Sequence, residues 1–198
     1  MLRSASISTR NQFSSLLNDR NLKGIAVEVG THRGDFAKVF LDVWEGKRLY
    51  CIDPWKSLPE YKYQEKFLWG GSEGNRSIDM AHTRAVLHSH RNRVQLVRDT
   101  SNNAVCLFGD NTLDFVYLDG NHEPPYVEED IRIWWPKIKH GGILAGHDFL
   151  CPGEADGSWG RYIQPAVLKF VVDHPQSMDV HLVVEEGGLP WSYYILKP

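Results

Sequence analysis

Two acids stand where a nucleoside-binding chain would need them, each at the end of an apolar run. Glu28 lies in Val27-Glu28-Val29-Gly30-Thr31-His32-Arg33-Gly34-Asp35-Phe36. That run reads as a buried strand, a turn through two glycines and a helix start. Gly30 and Gly34 let backbone approach a ligand where a Cβ would collide, and the helix start presents unpaired N–H groups. A carboxylate at Glu28 can answer an amino group. Asp53 closes the strand-like run Leu49-Tyr50-Cys51-Ile52, where a carboxylate can accept from two ribose hydroxyls.

The glycine spacing narrows the choice of nucleoside. A dinucleotide fingerprint, G-x-G-x-x-G, seats a pyrophosphate on the helix N-terminus. Here the pattern is E-x-G-x-x-x-G, with Asp35 in the first helical turn. A carboxylate there disfavours a pyrophosphate and does no harm beside a ligand carrying an amino group and a sulfonium.

A second constellation follows later strands. Asp119-Gly120-Asn121-His122 succeeds the run Leu113–Leu118, and His147-Asp148 succeeds Ile143–Gly146. If those strands are neighbours, their carboxyl ends lie about 5 Å apart, and Asp119, His147 and Asp148 can share one ion. Carboxylates favour Mg²⁺ or Mn²⁺, and one imidazole shifts the preference toward later transition metals. His122, with an ordinary pKa of about 6.5, suits general-base work.

Alternating strand and helix patterns must position these residues. Residues 11–20 suggest a short helix within an N-terminal helical extension over 1–22. Apolar residues at 36, 39, 40, 43 and 44 predict a helix packed on a sheet. A helix over about 77–90 precedes a strand at Val94–Val97, and Asp99 or Ser101 caps a short helix after it. Pro124 and Pro125 start a helix with the stripe Val127, Ile131, Trp134 and Ile138, and Gly141-Gly142 stops it. Aromatics beside glycines over 54–75 suit a flap over a site. A helix over 162–174 is followed by two strands joined by a short turn. The whole reads as one α/β domain over 1–198. The alternation gives a doubly wound, Rossmann-like parallel sheet that ends in an antiparallel hairpin.

The chain has 198 residues, 42% hydrophobic and 24% charged, with a net charge of −3. That balance argues against a general nucleic-acid binder. Residues 1–99 carry 16 Lys and Arg against 11 acids, and residues 100–198 carry 6 against 14, so the candidate metal ligands lie in the acidic half. Three scattered cysteines with no C-x-x-C indicate no disulfide framework and a reducing, cytoplasmic setting. No apolar run reaches the ~20 residues that cross a bilayer.

A parallel sheet finished by an antiparallel hairpin resembles the class I methyltransferases, which use S-adenosylmethionine (SAM); the resemblance implies seven strands in the order 3-2-1-4-5-7-6. Within that class, V-E-V-G-T-H-R-G-D-F, C-I-D-P-W, D-G-N-H with Tyr126, Asp130 and W-W-P-K-I-K-H-G-G, and A-G-H-D-F resemble methyltransferase family 24. That group is related to macrocin-type sugar O-methyltransferases and cephalosporin-hydroxylase-like proteins. The resemblance runs from about Ile25 to the end. It implies that Glu28, Gly30, Thr31 and Gly34 line the methionine part of SAM and that Asp53 binds the ribose. It implies further that Trp55 packs on the nucleoside, that Asp99 and Thr100 meet the adenine edge, and that Asp119 meets the methionine amino group or a metal.

Macrocin-type relatives carry an acid as base two residues after the first metal ligand. This chain has Asn121 there, which leaves His122 as the base. The implied activity is methyl transfer to a hydroxyl of a small molecule, a sugar or polyol among the candidates. Glu123-Pro-Pro-Tyr126 and the Arg/His-rich residues 76–98 keep an N- or RNA-directed methyltransferase open. Asn121 keeps a non-catalytic SAM-binding protein open, and the sequence leaves a homo-oligomer open too.

Overall fold

Apolar runs without alternation make the middle of the sheet. Strand β5 (Leu113–Leu118) is buried at every position, as a parallel strand covered on both faces must be. It lies between β2 (Ile25–Val29) and β6 (Ile138–Gly146), and β3 (Arg48–Ile52) and β4 (Val94–Val97) continue the sheet beyond β2. The computed structural model describes residues 1–56, 58, 73–149, 160–174, 176, 178–184 and 192–198. The expected flap therefore lies largely outside the described residues, as does the turn between the last two strands.

Strands β7 (Val180–Val183) and β8 (Ser192–Leu196) complete the expected hairpin. Among the described strands only β8 runs antiparallel to its neighbours, β6 and β7. Counted from Ile25–Val29, the order is the expected 3-2-1-4-5-7-6. One strand was not foreseen. Leu2–Ser4 forms β1, parallel to β7, and makes the sheet eight-stranded. The N-terminal extension is thus only partly helical, with a 3₁₀ turn (Arg10–Gln12) leading into α1 (Phe13–Asp19). The three residues of β1 are all exposed and carry no alternating pattern. Their place is fixed by ladder bonds to β7 and by Arg3 pairing with Asp179.

The other helices among the described residues are α2 (Asp35–Val43), α3 (Glu73–Val86), α4 (Ser101–Ala104), α5 (Tyr126–Trp134) and α6 (Gly160–Asp173). On one face of the sheet Phe36, Phe40 and Trp44 pack with Phe13 of α1 against Phe115 and Tyr117. The buried stripe is narrower than expected, because Val39 and Val43 face outward. On the other face Val127, Ile131 and Trp134 of α5 and Val167 of α6 cover Val116 and Leu144. Ile138 is buried as expected but begins β6 rather than continuing α5. Pro136, inside the intervening 3₁₀ turn, has no N–H to extend the helix.

Parallel pairing sets the strands' carboxyl ends side by side. Glu28 lies level with Cys51 and Tyr117, and Leu118 with Gly146. Asp119 and His147 therefore both start where strands end, His147 donating its N–H to the Leu118 carbonyl at 3.2 Å.

Candidate functional site

The turn after β2 works only with glycine. Gly30 has φ +90°, and a Cβ there would lie 2.0 Å from the Asp119 carbonyl oxygen. Gly34, at φ 82°, begins α2. Between them, the His32 N–H donates to Asp53 Oδ2 at 2.9 Å, and the Trp55 N–H donates to Asp53 Oδ1 at 2.7 Å. The His32 carbonyl accepts from Trp55 Nε1 at 2.7 Å and from Thr83 Oγ1 at 2.8 Å. One carboxylate thus ties the loop after β2 to the loop after β3. Burial raises the pKa of Asp53, and the two backbone N–H groups act against that rise.

These loops frame a cavity of about 520 Å³ at the carboxyl ends of the strands. Gly30, His32 and Asp53 form one wall and Asp99 to Asn103 the end beyond β4. Asp119, Gly120, Asn121, Tyr126 and Asp130 line it beside the Gly30 turn, and Lys56 and Arg76 add positive charge. Of the residues expected at a cofactor, Gly30, Asp53, Asp99, Thr100 and Asp119 line it. Glu28, Thr31, Gly34 and Trp55 stand behind the lining. Trp55 is 1% exposed, so it braces the His32 turn and presents no face to the cavity. Asp99 Oδ1 accepts from the Thr100 N–H and from Asn103 Nδ2, both at 2.8 Å. Thr100, rather than Asp99 or Ser101, is the cap residue of α4, with no side-chain bond of its own.

Glu28 is sealed inside the sheet, accepting from Thr31 Oγ1 at 2.9 Å. Burial lifts its carboxyl to about 8, and Asp119 and Asp53 push the same way. Asn121 is buried in the cavity wall. Its Oδ1 accepts from the Glu123 N–H at 3.0 Å, and its Nδ2 has no hydrogen-bond partner among the described residues.

The second cluster differs from the expected one. Asp119, His122 and Asp148 offer ligand atoms within 4.8 Å of one another. His122 Nε2 lies 3.5 Å from Asp119 Oδ1, and its Nδ1 lies 3.3 Å from Asp148 Oδ2. Asp148 sits at φ 55°. His147 Nδ1 is also 3.3 Å from Asp148 Oδ2, but His147 is not in the three-residue group, and His122 takes the place expected for it. Burial alone would lower the His122 pKa, but the bond to Asp119 and the charges of Asp119 and Asp148 raise it overall. Burial works to raise Asp119, but His122, His147 and Arg10 outweigh it and hold that carboxyl below the usual range.

Sequence reasoning assigned no role to His32, Arg76 or Asp130, all of which line the cavity. The signal for Asp130 was present: it interrupts the apolar stripe of α5 between Val127 and Ile131, so it had to face inward. Glu123-Pro-Pro-Tyr126 is the start of α5, with the Tyr126 N–H donating to the Glu123 carbonyl at 2.8 Å.

The profile of methyltransferase family 24, described as a methyltransferase domain, matches residues 27–149. The chain belongs to this family. The methyltransferase is 24% identical over 151 residues to the uncharacterised protein R132 of Acanthamoeba polyphaga mimivirus. That match covers 74% of this chain and spans 59% of the relative's length. Solved structures share the fold. An O-methyltransferase from Bacillus cereus in complex with SAH superposes with TM-score 0.69 at 12% identity, covering 98% of this chain and 83% of that one. TomG from Streptomyces achromogenes, an O-methyltransferase of tomaymycin synthesis in complex with SAM, gives 0.66 at 14%, covering 95% and 78%. An rRNA methylase from Streptococcus thermophilus gives 0.59 at 14%, covering 94% of each chain. No helix among the described residues is long and apolar enough to cross a membrane.

Proposed function

We propose that this methyltransferase transfers the methyl group of SAM to a hydroxyl of a small molecule, a sugar or polyol being the kind considered. The observation that carries the reading is the cavity between Gly30, Asp53 and Asp99, whose three elements match the parts of a nucleoside carrying an amino acid. Asp53 takes the ribose hydroxyls, and the residues after β4 meet the adenine. The Gly30 turn and Asp119 meet the methionine end. Glu28, Thr31 and Gly34 support that end from behind. Similarity to an SAH-bound and a SAM-bound O-methyltransferase supports donor and acceptor class alike.

The acceptor oxygen attacks the methyl carbon in line, the carbon–sulfur bond breaks, and SAH leaves uncharged. Opposite charges cancel as the bond forms, so alignment and removal of water matter most. His122, held between Asp119 and Asp148, is the proposed acceptor of the hydroxyl proton.

Two carboxylates and an imidazole converging within reach of one point also fit a divalent cation. Asp119, His122 and Asp148 would hold it, with His147 beside Asp148. Bound there, an ion would supply Lewis-acid stabilisation of negative charge on an oxygen. An imidazole nitrogen that ligates cannot also take a proton, so the ion and the base are alternative uses of His122.

Thermal unfolding with SAH tests the reading. At 100 times its Kd, a ligand stabilises the folded state by about 2.7 kcal/mol. SAH should raise the melting temperature and NADH should not. A shift with NADH and none with SAH would overturn the assignment.

A further inference from the structure

The lining of the cavity contains a buried acid that is hydrogen-bonded to a neighbouring hydroxyl. Asp130 is 8% exposed and lines the cavity. Ser101 Oγ donates to its Oδ1. Ser101 Oγ in turn accepts from Trp134 Nε1 at 2.8 Å. The indole nitrogen is a donor only, so it takes one lone pair of the hydroxyl and leaves the hydroxyl's proton for the bond to Asp130. Oδ1 is therefore committed as an acceptor. Whatever proton the carboxyl carries sits on Oδ2, the oxygen that approaches Gly120, 3.8 Å from where a Cβ there would lie.

The position of this pair along the cavity matters as much. Asp53 ends β3, and Ser101 begins α4 beyond β4, the next strand outward. A nucleoside with its ribose at Asp53 directs its base toward Asp99 to Asn103, and the Ser101 bond places Asp130 at that same end. The rim there is acidic at Asp99, whose Oδ1 already accepts two hydrogen bonds. An adenine ring offers unprotonated nitrogens as well as its amino group, and those nitrogens need donors.

We propose that Asp130 recognises the adenine base of the cofactor as a neutral carboxylic acid, its Oδ2–H donating to a ring nitrogen. This rests on the SAM reading above and deepens it by naming the group that distinguishes adenine. Burial supports the neutral form and, with the charge of Glu129, lifts the carboxyl to about 7. The charged and titratable groups bearing on Asp130 are Glu129 on α5, His122 from the loop before α5, and Tyr193 of β8. The Ser101 hydrogen bond and the charge of His122 favour the ionised form, and burial outweighs both.

The test is SAH binding by calorimetry to the wild type, Asp130→Asn and Asp130→Ala, together with SAH analogues lacking one adenine ring nitrogen. In Asp130→Asn, an amide carbonyl that keeps the bond from the Ser101 hydroxyl puts the amide N–H where Oδ2–H was. The asparagine variant should hold SAH within about threefold of wild type, and the alanine variant should lose roughly 10-fold or more. One deaza analogue should bind the wild type as weakly as the alanine variant binds SAH, with no further loss when the two changes are combined. Wild-type affinity should fall above about pH 7, and the asparagine variant's affinity should not follow that fall. Equal losses in both variants would show an ionised Asp130 accepting from the adenine amino group and would overturn the donor assignment. Unchanged affinity in the alanine variant would overturn any role at the base. No SAH binding by the wild type would overturn the SAM reading and this inference with it.

Discussion

Replacing Glu28 by glutamine should stabilise the methyltransferase, and by an amount that grows with pH. Glu28 is 2% exposed on a central strand, and Asp119 and Asp53 add negative charge around it. Its carboxyl stands at about 8 in the fold, against 4.5 as the ordinary value. For an acid raised in the fold, protonation favours the folded state. Below about pH 4.5 both states carry the proton and the group costs nothing. Between there and about pH 8 the unfolded chain ionises while the folded one does not, and stability falls by about 1.4 kcal/mol per pH unit. The cost works out at about 1 kcal/mol at pH 5 and about 4 kcal/mol at pH 7.5. Glutamine can keep the bond from Thr31 and removes the titration.

Urea unfolding of both proteins at those two pH values isolates the effect, because any fixed loss from altered hydrogen bonding cancels between them. The gain in Glu28→Gln should be about 3 kcal/mol larger at the higher pH. A gain that does not change with pH would mean that Glu28 ionises normally inside the sheet, and the burial argument would fail. Ligand binding offers a second check. If Glu28 answers the ammonium of SAH, binding at neutral pH should release a proton, seen as a buffer-dependent heat in the wild type and missing in the variant.

Two further outcomes follow from geometry. Gly30→Ala should cost about 2–4 kcal/mol by urea unfolding, because its Cβ meets backbone as well as a left-handed φ. Gly141→Ala, at φ +76° with nothing within 4 Å, should cost only about 1–2 kcal/mol; equal costs would show that the Asp119 contact is not what requires glycine at position 30. Binding of Mn²⁺ alone, measured by calorimetry, should be lost in His122→Ala and Asp148→Ala and retained in His147→Ala. The reverse dependence on the two histidines would restore the set expected from sequence, and no Mn²⁺ binding at all would leave His122 to the proton.

Much of the sheet was legible because periodicity and strand ends are local signals. Val27, Val29 and Ile52 are apolar because both sheet faces are covered, and Asp53 and Asp119 stand out as acids at the ends of such runs. Strand β1 was not legible, since three exposed residues carry no pattern and their pairing depends on β7, 178 residues away. The exchange of His147 for His122 was hidden for a different reason. Strand adjacency puts Asp119 and His147 at the same level, but both imidazoles reach Asp148, and only His122 lies between that carboxylate and Asp119, a placement set by loop conformation that carries no local sequence signal. Trp55 was misplaced because an aromatic residue beside a ribose carboxylate suits stacking equally well with bracing, and only its indole bond to His32 separates the two.

Backbone strain falls on the same residues as the chemistry. Among the described residues, five other than glycine have positive φ: Asn21, His32, Trp55, Asn111 and Asp148. The asparagines tolerate that region through local side-chain bonding. His32, Trp55 and Asp148 do so less readily, or not at all for Trp55, and each follows a strand whose carboxyl end faces the site. Left-handed backbone of this kind costs on the order of 1–3 kcal/mol per residue and persists only where surrounding contacts over-determine it. At two of the three positions Asp53 is the contact that does so, accepting the N–H of both His32 and Trp55. Asp53 therefore has two tasks, fixing the two loops and facing the cavity where a ribose is proposed to sit. Its burial raises its pKa, and the two backbone donors that secure the loops favour the ionised form a hydroxyl donor needs. The turn that shapes the cavity and the charge that would bind the ligand are maintained by the same two hydrogen bonds.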